Sequence, residues 1–177
     1  MLKKLKLEIE RKFLLKSMPD INPSEIIKIE QYYLKNSEGV WERMRSCESN
    51  LYGMSYVYTV KYNIGKGINE EDEYLTTEEE FIEFRNKCIK SFESKYIQKE
   101  RWIYPHIEDN LIWEVDIFKS GHHLIVAEIE IPVKKYKLIL PKFIKDKLLI
   151  EVTGLKQFSN KNLSNEINIK DKNKILK

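Results

Sequence analysis

The run KLKLEIERKFLL, residues 4–15, alternates with a period of two. Leu5, Leu7, Ile9 and Phe13 share one phase, Glu8, Glu10 and Lys12 the other, and Arg11 is the one break. Successive side chains of a strand point to opposite faces, so this stretch reads as a strand with one apolar and one charged side. The pattern recurs along the chain. Arg43 and Arg45 share a phase in WERMRS, Thr59 and Lys61 in YVYTVKY, Glu71 and Glu73 in NEEDEYL, and Lys99 and Arg101 in IQKERWIY. Glu114 and Asp116 alternate with Trp113, Val115 and Ile117. Glu128 and Glu130 alternate with Ala127, Ile129 and Ile131.

Strands are expected over 4–15, 29–35, 40–47, 55–63, 70–75, 95–104, 111–118, 124–133 and 149–152. They are separated by the turn-forming runs NSEG (36–39), NIGKG (63–67), EDN (108–110) and KSGHH (119–123). Helices are fewer. TTEEEFIEFRNKCIK, 76–90, places Thr77 and Glu80 in capping-box spacing ahead of an apolar stripe of Phe81, Phe84 and Cys88. PSEIIK (23–28) and PKFIKDKLL (141–149) read as short helices. With no internal repeat or dividing linker, the expectation is one domain over 1–160 and a Lys/Asn-rich C-terminal extension over 161–177. The fold class is α+β, an antiparallel sheet or barrel with helical additions.

Composition narrows the function. In 177 residues, Lys+Arg 31 and Asp+Glu 28 nearly cancel to a formal charge of +3, too little to favour a nucleic-acid binder or a basic membrane surface. Cys47 and Cys88 have no metal-binding spacing and read as reduced thiols of a cytoplasmic protein. The N-terminal run has no apolar h-region, and no apolar stretch is long enough to span a bilayer. Neither nucleic acid nor membrane is expected as a partner.

Alternation alone allows two arrangements. In an open sheet the charges face water. In a closed barrel they face inward while the apolar sides lie under helices. The chemistry leans to the second. Lys12, Arg43, Arg45, Lys61, Lys99 and Arg101 would repel one another unless an anion or carboxylates lay between them, and arginine forks with lysine point charges suit phosphates. Glu8, Glu10, Glu73, Glu114, Asp116, Glu128 and Glu130 supply paired carboxylates without Cys or His, a donor set for hard cations such as Mg2+ or Mn2+. Together these are the parts of metal-assisted phosphoryl transfer. There is no glycine-rich phosphate loop, so side chains must hold the phosphates.

EIERKF resembles the ExExK motif of the CYTH superfamily, the triphosphate tunnel metalloenzymes. ERMRS, TVKY, IQKERW, WEVDIF, VAEIEIP and EVTG come after it in the order that family has them, over residues 8 to about 160. The resemblance implies a closed eight-stranded antiparallel β-barrel with the charges inside and helices packed outside, a linear triphosphate as substrate, and a divalent metal, Mg2+ or Mn2+. It implies triphosphate contacts at Lys12, Arg43, Arg45, Lys61, Lys99 and Arg101; a mechanism built on those contacts would also have Lys12 steady a leaving oxygen. It implies metal-binding carboxylates at Glu8, Glu10, Glu128 and Glu130, and the mechanism expected on that basis makes Glu8 and Glu10 catalytic, beside a metal that activates water. Glu73, Glu114, Asp116 and Glu151 match further tunnel acids. After EVTG the chain departs from the family pattern, with Leu155, Lys156, Gln157 and Phe158 where a basic residue and a tyrosine are usual.

The reactions so implied include hydrolysis of inorganic tripolyphosphate, the first choice for a chain with no appended domain. The others are hydrolysis of thiamine or nucleoside triphosphates, class IV adenylyl cyclase chemistry, and non-catalytic polyphosphate or nucleotide binding. A homodimer is carried by analogy only. His106, His122 and His123 fall in or near turns and are set aside. Trp102 and Trp113 lie opposite the charges and read as packing anchors. Trp41, Tyr33 and Tyr52 are the aromatics that could contribute a pocket for a base, and Trp41, which shares the phase of Arg43 and Arg45, is the one suited to stacking on a substrate.

Overall fold

The computed structural model describes residues 6–119 and 123–166. The first strand, β1 (Lys6–Leu15), is followed by β2 (Glu25–Lys35), β3 (Trp41–Ser49), β4 (Gly53–Gly65) and β5 (Ile68–Thr76). Helix α1 (Glu78–Lys90) leads to β6 (Ser94–His106), β7 (Leu111–Phe118) and β8 (Ile125–Glu130). Then come α2 (Lys142–Lys145), β9 (Leu148–Glu151), a 3₁₀ turn at Lys156–Phe158, α3 (Asn160–Leu163) and β10 (Asn165–Glu166). All pairings are antiparallel. The order β6-β2-β3-β4-β5-β1-β8-β7 returns to β6, so eight strands close a barrel, and β9 and β10 add to β1 and β6 from outside that ring.

Closure decides where each phase points. Phe13, Trp113, Val115, Ala127 and Ile129 are buried outside the ring with Ile144 of α2, and Phe143 stacks on Tyr104 at 5.4 Å. Across the barrel, Tyr32 and Met44 are buried under Phe81, Phe84 and Cys88 of α1. Thr77 and Glu80 cap that helix reciprocally, as their spacing predicts. The apolar sides therefore face outward and the charged sides inward. At one end the inward phase turns apolar, and Ile97, Phe118 and Val126 pack with Leu14 and with Leu163 of α3.

Two short helices are corrected. Residues 25–28 open β2, where Ile27 pairs with both Ser49 and Arg101; two flanking strands and a run of β-branched residues override the helix-like Pro-Ser-Glu start. Over 141–149 only Lys142–Lys145 is helical. Leu148–Glu151 instead pairs with the end of β1, beyond the reach of β5. The extension expected from Lys161 begins with the end of α3 and β10; residues 167–177 lie outside the described residues, as do His122 and residues 1–5.

Gly67, in the β4–β5 turn, lies directly against the ExExK strand. Its φ is +66°, and a Cβ there would sit 2.6 Å from the Glu10 carbonyl oxygen and 2.8 Å from Thr153 Cγ2. Gly67→Ala is expected to cost about 1–3 kcal/mol from strain and overlap. Gly53→Ala, also at positive φ but with nothing within 4 Å, should cost less. Thermal denaturation of the two variants side by side checks this. Equal losses would mean that the Glu10 contact does not matter.

Candidate active site

Inside the barrel lies a cavity of about 1460 Å³. Glu8, Glu10, Lys12, Arg43, Arg45, Lys61, Glu73, Arg101, Glu114, Glu128 and Glu130 all line it. Register explains the meeting: Glu10 lies opposite Glu130 and Lys12 opposite Glu128 on β1 and β8, while Arg43, Thr59 and Glu73 are in line across β3, β4 and β5.

The ionic contacts form three groups. Arg43 and Arg45 share the Oε2 atom of Glu73 at 3.2 and 3.3 Å, and the Thr59 hydroxyl donates to the same atom at 2.9 Å. Burial opposes ionisation of Glu73, but the two guanidinium charges outweigh it and lower its pKa. Burial and the charge of Arg43 lower the pKa of Arg45. The Nε atoms of both arginines are buried without a hydrogen-bond partner. Two crowded cations with spare donors form an anion-seeking pair.

Lys61 bridges Glu8 at 2.6 Å and Glu71 at 2.8 Å, and Asn69 donates to the same Glu8 oxygen at 3.0 Å. At the rim, Lys6 meets Glu130 at 3.0 Å.

The third group is the deepest. Arg101 holds Asp116 by two bonds, Nε to Oδ1 at 2.7 Å and Nη2 to Oδ2 at 2.8 Å. It also reaches Glu128 at 3.1 Å and donates to Glu114. Lys12 meets Glu128 at 2.7 Å and Glu10 at 3.7 Å. Burial works against the Glu128 carboxylate, yet Lys12, Lys99 and Arg101 hold its pKa well below the usual range. Burial also opposes the charge of Lys12, and Glu128 and Glu10 raise its pKa regardless, so it stays an ammonium. Glu10 differs: burial first, then the charge of Glu128, push its pKa up, and Lys12 only partly offsets them.

Three expected site residues sit elsewhere. Lys99 and Asp116 pair at 2.5 Å with side chains 1% and 0% exposed, behind the cavity wall. Their phase is right, but Arg101 and the apolar end cover them. Glu151 is on the outer side of β9, gripped by Arg11 through two hydrogen bonds. Its partner in register is Phe13, which faces the outer core, so its phase carries it away from the cavity. Conversely, Tyr33 and Asn69 line the cavity although no charge marked them. For Asn69 the available signal was phase, since it lies two before Glu71; Tyr33 meets the site only through register, opposite Arg43. Trp41 also lines the cavity, with Lys161 Nζ 5.2 Å from its ring centre, whereas Trp113 is fully buried among the outer core.

Among the described residues, no three His, Cys, Asp or Glu side chains converge into a ready-made metal cage. The donor chemistry nevertheless suits Mg2+ or Mn2+, which takes one or two carboxylates and completes its shell with water and substrate phosphate oxygens. Glu10 carries the clearest sign. A half-buried carboxylate beside a second carboxylate, with one cation 3.7 Å away, is undercompensated in a way that a bound cation relieves.

Of the described helices, none is long and apolar enough to cross a membrane. No family model matches the sequence, and no curated protein does. Solved structures match the fold. The inorganic triphosphatase NE1496 is 24% identical, with a TM-score of 0.58, covering 92% of this chain and 99% of that one. A second structure of NE1496, described as a hypothetical protein, is 25% identical with a TM-score of 0.55, over 89% of this chain and 97% of that one. HpAC1 from Hippeastrum is 16% identical with a TM-score of 0.49, over 71% of this chain and 80% of that one.

Proposed function

We propose that this chain, whose barrel is the CYTH triphosphate-tunnel fold, hydrolyses a linear triphosphate with the help of a divalent metal, and that inorganic tripolyphosphate is its substrate. One observation carries the reading: Arg43, Arg45, Lys61, Lys12 and Arg101 line the same cavity, with Glu8, Glu10, Glu128 and Glu130 among them. The choice of substrate is supported by NE1496, named an inorganic triphosphatase, which shares the fold over nearly its whole length.

Each part has a task that its contacts suggest. Arg43 and Arg45 grip one end of the triphosphate, their unpartnered Nε atoms adding donors that Glu73 does not use. Lys61 and Arg101 extend the cationic wall. Lys12, kept protonated by Glu128 and Glu10, donates to the oxygen that leaves with pyrophosphate. Glu8, Glu10, Glu128 and Glu130 would hold the metal together with phosphate oxygens, and the metal supplies charge neutralisation on the transferring phosphoryl group. Asp116, itself paired with Lys99, holds Arg101 in place from behind. Most of the acceleration then comes from preorganised charge and from holding the phosphorus in line with attacking water.

A panel of substrates tests this. With Mg2+ or Mn2+, phosphate release from tripolyphosphate should exceed release from ATP and thiamine triphosphate, and chelation should abolish it. Cyclic AMP formed from ATP would replace hydrolysis with cyclase chemistry. Binding of tripolyphosphate without release would make the barrel a binding module. Trp41 favours a second reading, a triphosphate ester whose ring stacks there. Under it, thiamine triphosphate or ATP would be hydrolysed fastest, and Trp41→Ala would raise KM for the ester and leave that for tripolyphosphate unchanged.

A further inference from the structure

β1 carries Glu8, Glu10 and Lys12, yet one of its edges has a gap. Its pairs with β5 run from Lys6 to Ile9, and those with β9 from Phe13 to Leu15. Between them, residues 10–12 have no strand partner on that side. Other groups satisfy their backbone. The Glu10 N–H donates to the Gly67 carbonyl at 2.9 Å, and Lys12 O accepts from Val152 N–H at 2.8 Å. The Lys12 N–H donates to a side chain, Thr153 Oγ1, at 3.0 Å. That hydroxyl donates in turn to Glu151 Oε1 at 2.6 Å. Arg11 then closes the circuit, donating from Nε to Oε1 at 3.0 Å and from Nη2 to Oε2 at 2.7 Å. The chain of bonds leaves β1 at residue 11 and returns at residue 12.

We infer that Thr153, oriented by the Arg11–Glu151 pair, is a positioning residue that sets the Lys12 main chain and thereby the Glu10 and Lys12 side chains. The inference rests on the proposed function, in which those two side chains act on the triphosphate. A hydroxyl has one proton to give. Spent on Glu151, it leaves only lone pairs to face the Lys12 N–H. Hydrogen bonding from Arg11 lowers the Glu151 pKa, so the carboxylate is ionised and can only accept, which enforces that direction. Arg11, the break in the alternation, thereby acquires a reason: it is the one base on an otherwise apolar outer face of β1. Glu151 then serves the site from outside the barrel, through Thr153, and not as a tunnel acid.

Thr153→Val removes the hydroxyl at nearly constant volume, and Thr153→Ser restores it. In the valine variant, hydrogen exchange at the Lys12 amide should rise locally, without a matching rise across the barrel. Calorimetric binding of tripolyphosphate in Mg2+ should weaken about tenfold, the size typical of lost support behind a site residue. The serine variant should restore both, and Glu151→Gln should reproduce the valine effects in part. A role confined to stability would move the melting temperature and leave the affinity of the folded protein unchanged. Unchanged exchange at Lys12, or raised exchange with unchanged affinity, overturns the inference. Wild-type protein that binds tripolyphosphate without hydrolysing it removes the proposed reaction and leaves the positioning role standing. Wild-type protein that binds no triphosphate removes both.

Discussion

Arg101→Met is expected to destabilise the protein by about 3–5 kcal/mol, the range for breaking a buried ionic network by removing one partner. The guanidinium is the common partner of Asp116, Glu114 and Glu128. Without it Asp116 keeps only Lys99, Glu128 keeps Lys12, and the ion pair of Glu114 is lost. Arg101→Lys restores the charge but cannot reach three carboxylates, so it should recover only part of the loss. The penalty should depend on pH. In the wild type, Asp116 and Glu128 have folded pKa values below their unfolded ones of 3.8 and 4.5, because Arg101 and the neighbouring lysines outweigh burial. Their contribution is present above those unfolded values and is lost as pH falls through the folded ones. In the variant the same carboxylates are undercompensated, a cost that protonation removes. Denaturant unfolding should therefore show the gap between variant and wild type narrowing from pH 7 towards pH 4. A gap below about 1 kcal/mol, or one independent of pH, would show that the network does not depend on Arg101 in this way.

Glu10→Gln is expected to act in the opposite sense on stability and to have the largest effect on turnover. Glu10 is raised above its ordinary pKa by burial and by Glu128. A carboxyl of that kind costs stability above its folded pKa and nothing below the unfolded value of 4.5. Neutralising it should leave the melting temperature unchanged or higher near pH 7, with the gain vanishing towards pH 4. Metal-dependent release of phosphate should nevertheless fall by about 10²–10³-fold, because charge aimed at the reacting group is lost. Stability and activity moving in opposite directions would mark Glu10 as a group retained for function. A folded variant that kept wild-type turnover would remove Glu10 from the site, and one that lost stability near pH 7 would overturn the account of its carboxylate as undercompensated.

Much of this was legible in the alternation. Each strand's charged phase needed only local sequence, and that is why Lys12, Arg43, Lys61 and Glu128 could be named together. Neutral members were harder. Asn69 looks like an ordinary strand residue until its contact with Glu8 brings it to the site, and Tyr33 is one aromatic among several until register sets it beside Arg43. Lys99 and Asp116 show the converse limit: correct phase put them inside the barrel, but depth along its axis depends on strand stagger and on Leu163 filling one end. The helix expected at 23–28 failed for a related reason, since pairing with β3 and β6 outweighs a weak local preference.

By itself, then, the chain specified which residues alternate, which phase is charged and where the chain turns, because a two-residue period and turn chemistry are local properties. The ordered motifs added an expectation of closure. Whether the charges met water or one another was decided only by the tertiary structure. β6 pairing with β7 closes the ring, α1 and α2 bury the apolar outer faces, and cations and carboxylates from distant strands come within ion-pair distance. Glu151 shows the distinction most plainly. Its sequence neighbours match a tunnel motif, but β9 joins β1 in a register that turns the carboxylate outward to Arg11. A shift of one residue in that register would have pointed it the other way.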